Sequence, residues 1–100
     1  MSEGELTVAV HGEFDMAATF AVEPTLERAL ESPGLRRLTL DLSGLTFIDS
    51  VGLSVVIRLA AEMEARGIGM RIVPGPRQVQ LVFTSVGMAS ALPFEPEAPA

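Results

Sequence analysis

Cysteine and lysine are both absent from the 100 residues, and five phenylalanines are the only aromatics. The missing thiols exclude disulfides, zinc–thiolate centres and cysteine nucleophiles together. Seven arginines face 13 acidic residues, a net charge of −6, and no basic run exceeds Arg36-Arg37. That composition excludes nucleic acid as a partner, because phosphate binding needs clustered cations. Apolar runs fall far short of the ~20 residues of a bilayer span. The acidic start, Met1 to Glu5, lacks the basic-then-apolar order of a signal peptide, so a cytoplasmic location is expected. Gly-x-Ser-x-Gly turns and glycine-rich phosphate loops are missing too. The one histidine, His11, falls on a strand and reads best as structural or solvent-facing. No enzyme and no cofactor are expected.

What is present is apolar and aliphatic. Hydrophobic residues make up 48% of the chain, enough for one core built from Leu, Val, Ile, Ala and Met. One domain over residues 1–94 is expected, followed by a flexible acidic, proline-rich tail at 95–100.

Leu6, Val8 and Val10 alternate with polar or small residues, the period of a half-buried strand. Gly12 interrupts it, and Glu13-Phe14-Asp15 lead away. Val22, Leu26, Ala29 and Leu30 then repeat at helical spacing within 17–31. The helix is expected to start before Pro24 and to end at Ser32-Pro33-Gly34. Leu38, Leu40 and Leu42 give a second strand, and Met70 to Val73 a third. A last helix carries Val79, Val82, Phe83 and Val86 on one face, with Gly87 as its cap. Ala91 to Phe94 can add a short edge strand, since Pro93 confines it to an edge. Strands separated by helical crossovers run parallel. The fold class is therefore α/β, a short, mostly parallel sheet with helices packed on it.

The chain is organised around Asp41-Leu42-Ser43-Gly44-Leu45-Thr46-Phe47-Ile48-Asp49-Ser50-Val51-Gly52-Leu53. It leaves a strand, turns at Ser43-Gly44 and opens the longest helix at Asp49-Ser50. On an ideal wheel of about 100° per residue, Leu53, Val56, Ile57, Ala60 and Met63 form the core face of that helix. Ser54, Arg58, Glu62, Ala65 and Arg66 lie opposite, with Glu62 and Arg66 in the favourable order for an ion pair. Val51 and Val55 fall on the flank of Arg58 and Glu62, as a contact surface or as packing under a neighbouring loop.

Three chemistries compete at this corner. Asp15, Asp41 and Asp49 could gather at the sheet edge as a magnesium site, although no helping lysine exists. Asp49 or Ser50 serves as the helix N-cap. An exposed Ser50 hydroxyl beside the helix start is also placed to carry a phosphate, with free N–H groups and the helix dipole tolerating its charge.

The run DLSGLTFIDSVGLSVV, with GEFD at 12–15 and VQLVFTSVGM later, resembles the STAS domain family. Within it, the likeness is to bacterial anti-sigma factor antagonists, over about Leu6 to Phe94. That resemblance implies a small STAS-like fold and a partner-switching, transcription-regulating phosphoprotein. Such a module binds an anti-sigma factor, itself a serine kinase, and so frees a sigma factor. It implies phosphorylation on Ser50, reversed by a phosphatase, with Asp49, Asp15 and Gly52 shaping the phosphosite. Val51, Ser54, Val55 and Arg58 would then touch the partner. The alternative within the family is an unphosphorylated accessory subunit of a lipid or anion transporter. Two departures stand out. Val51 replaces a frequent second hydroxyl, and the family's usual extra N-terminal strand is missing ahead of Leu6, so a homodimer through that edge is expected as cover.

Overall fold

The computed structural model describes residues 4–96. Three short strands form the central sheet: β1 (Glu5–Ala9), β3 (Arg37–Asp41) and β5 (Gly69–Val73). They lie in the order β1-β3-β5 and all run parallel, with Leu6 beside Leu38 and Leu38 beside Met70. The alternation sets the two faces. Leu38, Leu40 and Ile72 are buried under helices, while Glu5, Thr7, Arg37 and Arg71 face water.

Two further strands, β2 (Gly12–Phe14) and β4 (Leu45–Ile48), were not expected from the alternation. They form a separate parallel pair, with Phe14 beside Ile48. Each continues its predecessor across a kink. Val10 N–H donates to the Asp41 carbonyl and Gly12 N–H to the Gly44 carbonyl, both at 3.0 Å. Gly12 takes a φ of +77° at this kink, and a Cβ on Gly44 would run into the His11 ring. Strands of three and four residues, interrupted by a register shift between Gly12 and Glu13, are too short to display a period of two. Phe14, Leu45 and Ile48 are nonetheless core residues.

Helix α1 (Met16–Leu30) does start before Pro24, which sits inside it on an exposed turn. Helix α2 (Ser50–Ala65) packs beside α1, and the two are tied by Arg66, whose guanidinium donates to the Leu30 carbonyl at 2.8 Å. The expected Glu62–Arg66 pair is present at 3.6 Å. Helix α3 (Arg77–Ser85) buries Val79 and Phe83. Val86 was expected on that apolar face but caps the helix and is exposed, because the helix ends one residue earlier. Gly87 follows with a φ of +75°, the left-handed geometry that stops a helix.

The last segment is more ordered than its composition suggested. Phe94 bridges Ile72 in parallel and meets Phe83 edge-to-face at 5.0 Å. Glu95 was expected to open the flexible tail. Instead its N–H donates to the Ile72 carbonyl and its carboxylate pairs with Arg71, both at 2.8 Å. Residues 97–100 of that expected tail lie outside the described residues.

One correction bears on function. Val55 was placed on the wet flank of α2, as a partner contact, yet it is 6% exposed. A helix wheel cannot know where a second helix docks. Here α1 lies along that flank, and Val55 with Leu59 faces Leu26 and Leu30. Conversely Ile57 and Ala60, expected in the core, are only half-buried. They line an open apolar groove of about 510 Å³ with Ile68, Met70, Met88 and Leu92. Val55→Arg would drive a much larger, charged side chain into the packing of Leu26, Leu30 and Leu59 between two helices, a cost of a few kcal/mol. The expected outcome in urea denaturation is a loss of roughly 3 kcal/mol or more, or no folded protein at all.

Candidate functional site

Parallel strands deliver all their carboxyl ends to one edge, so helices that follow them start there together. β2 leads into α1 through Asp15, and β4 leads into α2 through Asp49. Both aspartates are N-caps with extended backbone. The Asp15 carboxylate accepts from the Ala18 N–H at 3.0 Å. One Asp49 oxygen accepts from the N–H groups of Val51 and Gly52, each at 2.9 Å. Its other oxygen accepts from the Met16 N–H of α1 at 3.2 Å. A single carboxylate thus closes the first turn of its own helix and reaches the first residue of the other. The Asp49 N–H in turn donates to the Phe14 carbonyl at 3.2 Å.

This close approach explains Gly52. It is buried in the first turn of α2, and a Cβ there would collide with the Phe14 carbonyl oxygen. Any side chain would push β2 and α2 apart and pull the Asp49 clasp open.

Ser50 is the first residue of α2 and is exposed. Its carbonyl accepts from the Ser54 hydroxyl at 2.9 Å. Of the N–H groups expected to be free for a phosphate, three are taken: Asp49 holds Val51 and Gly52 through its side chain and Leu53 through its carbonyl. The cap thus belongs to Asp49, and Ser50 stands outside it.

The other expected residues sort clearly. Asp15 and Asp49 come together at the two helix starts. Asp41 does not join them: it lies before β4, and a four-residue strand spans about 13 Å. It makes an Asx turn instead, accepting from the Ser43 hydroxyl at 2.7 Å and the Ser43 N–H at 2.9 Å. These two bonds, with a smaller contribution from His11, hold its carboxyl below the ordinary value, against a small desolvation cost. The magnesium reading needed all three aspartates together; among the described residues no group of three His, Asp or Glu is placed to hold a metal ion. His11 sits beside Gly44 and Asp41. Val51 is half-buried and Ser54 exposed. The Arg58 side chain is 69% exposed and its guanidinium bonds Glu23 of α1 at 3.1 Å, a surface pair worth little in stability.

Two residues at this corner escaped the sequence reading. Met16, whose N–H meets Asp49, is 56% exposed, and Phe47, two residues before Asp49, is 49% exposed. Phe47 stands in register with Glu13 on the neighbouring strand. The signal available in the sequence was a large apolar residue next to the cap. No periodicity accompanied it, because β4 is too short to show which face is wet.

With this geometry, the chain belongs to the STAS domain family, whose family model matches residues 2–98. The fold is that of the anti-sigma factor antagonist SpoIIAA in its unphosphorylated form. That structure superposes with a TM-score of 0.77 at 20% identity, covering 96% of this chain and 84% of the other. The murine anion transporter Slc26a9, in its inward-facing state, also contains the fold, with a TM-score of 0.73 at 19% identity. There the match covers 97% of this chain and only 17% of the transporter. No helix among the described residues is long and apolar enough to cross a membrane.

The Asp49 clasp should be the most sensitive surface-accessible point of the domain. Asp49→Ala removes the cap of α2 and the link to α1 together, so a loss of about 1–2 kcal/mol is expected. Urea denaturation measures it, and Ser50→Ala should stay within about 0.5 kcal/mol of the parent.

Proposed function

We propose that this STAS domain is an anti-sigma factor antagonist whose binding face is switched by phosphorylation of Ser50. The observation that carries the reading is that Ser50 is exposed at the helix start while Asp49 already occupies the N–H groups of the three residues that follow it. A phosphate there would add about −1.5 to −2 charges beside the carboxylates of Asp49 and Asp15. Of the capped turn's donors, those of Val51, Gly52 and Leu53 are already bonded, which leaves the single Ser50 N–H, and Arg58 is paired with Glu23. The charge would therefore act outward, on whatever docks at this corner.

In this reading the docking face is Ser50, the exposed part of Val51, Ser54 and Arg58, extended by Met16 and Phe47. Val55 takes no part in it. Acidic residues at Glu13, Asp15 and Asp49 surround those apolar side chains, so the fitting partner is a protein with an apolar centre and a basic rim. A serine kinase acting as anti-sigma factor would both bind this face and modify it, a phosphatase would restore it, and the module itself catalyses nothing. It would work in the cytoplasm.

The second family reading is an accessory subunit of a lipid or anion transporter, its anion half supported by the likeness to Slc26a9. It requires no phosphate. The two part in one experiment, in which the protein is incubated with a candidate anti-sigma serine kinase and ATP. The switch reading expects one phosphate, on Ser50, absent in Ser50→Ala. Ser50→Asp should keep a melting temperature within a few degrees of the parent and bind the kinase about 100-fold more weakly or worse, because a carboxylate taken unpaired against the apolar centre of the contact costs several kcal/mol. Equal affinity of both proteins, or no transfer from any cognate kinase, contradicts it.

A further inference from the structure

The hydrogen bonds of β1 show which way its backbone faces. The Val10 N–H donates to the Asp41 carbonyl, and the Gly4 carbonyl accepts from the Arg37 N–H, both at 3.0 Å. In a parallel ladder, alternate residues address the neighbouring strand. Leu6 and Val8, of the same parity as Gly4 and Val10, therefore bond to β3. Glu5, Thr7 and Ala9 turn their N–H and carbonyl groups the other way.

On that side β1 is the end of the sheet, with β3 as its only paired strand among the described residues. Of the features that keep such edges apart, this five-residue edge carries only the charge of Glu5 at its start. β1 contains no proline and no inward charge, and its register against β3 is regular over all five residues. Leu6 and Val8, which belong to the helix-covered face, are only half-buried, whereas Leu38 and Leu40 beside them are 1% and 3% exposed.

We infer that two copies of this chain pair through β1, antiparallel, about a two-fold axis at Thr7. This pairing is self-complementary residue by residue. Thr7 meets its own copy as a hydrogen-bonded pair, and Glu5 meets Ala9 on either side of it. All the outward N–H and carbonyl groups of the three residues are satisfied, and no two Glu5 carboxylates stand opposite each other. Leu6 falls opposite Val8 of the other copy, so the apolar surface left half-open on the helix side is covered by its symmetry mate. An isologous contact of this kind closes on itself and does not propagate into fibres. The result is one continuous sheet in the order β5-β3-β1-β1-β3-β5, built from the two copies.

The test is sedimentation equilibrium with amide exchange on the intact chain, together with two substitutions. The wild type should approach twice the 10.6 kDa chain mass at high-micromolar concentration. The Glu5, Thr7 and Ala9 amides should gain protection as concentration rises, while those of Leu6 and Val8 stay protected throughout. Thr7→Pro removes only an outward donor, and Thr7→Arg sets two cations face to face on the axis. Each should weaken the dimer tenfold or more while circular dichroism keeps the parent spectrum; the arginine variant serves if the proline variant does not fold. A wild type that stays monomeric overturns the inference, as does a dimer that neither substitution weakens or one that leaves the Thr7 amide unprotected.

Discussion

Three backbone N–H groups converge on the Asp49 carboxylate, and two of them belong to its own helix while the third belongs to the other. Helix starts ordinarily leave their donors to water. Bringing two such starts to one sheet edge would leave both partial positive ends side by side. The shared carboxylate resolves that, and its cost is a strict approach distance: β2 must come close enough to α2 that only glycine fits at position 52. The geometry of the corner follows from this one group. Ser50, next in the chain, is left outside the bonded set and turned to solvent.

The core explains why this corner can be altered without consequence for the rest. Phe14 and Ile48, buried at 1% and 3% exposure, anchor the ends of β2 and β4 immediately before the two caps. Leu53 and Val56 anchor α2 immediately after. The bonded turn is thus held from both sides by apolar packing that a charge on Ser50 does not touch. A side chain free of structural duty, mounted on a turn with heavy structural duty, is a sound design for a modification site.

Much of this was legible in the chain itself. The three alternating strands, the helix running through Pro24, and the glycine after α3 all carry local signals that the tertiary structure obeys. The Asp-Ser-x-Gly-Leu corner was legible as a helix start capped by Asp49 or Ser50. What was hidden depended on partners in space. Val55 looked wet until α1 was laid against it. The donors beside Ser50 looked free, since a sequence does not say whether Asp49 or Ser50 takes them. β2 and β4 are too short for a period, and the three aspartates shared a pattern but not a place. Glu95 read as tail because composition cannot anticipate its bonds to Ile72 and Arg71.

The proposed switch rests on a negative charge at Ser50 that the domain would leave largely uncompensated. Phosphorus NMR of the Ser50-phosphorylated protein reads this directly, through the second ionisation of the phosphate. With Asp49 and Asp15 nearby and the Val51, Gly52 and Leu53 donors engaged, the dianion would be disfavoured, and the midpoint should lie above the pKa of about 6 of an ordinary phosphoserine. A midpoint clearly below that value would mean that the phosphate had captured N–H groups or an arginine of its own chain, and a switch driven by uncompensated charge would be contradicted.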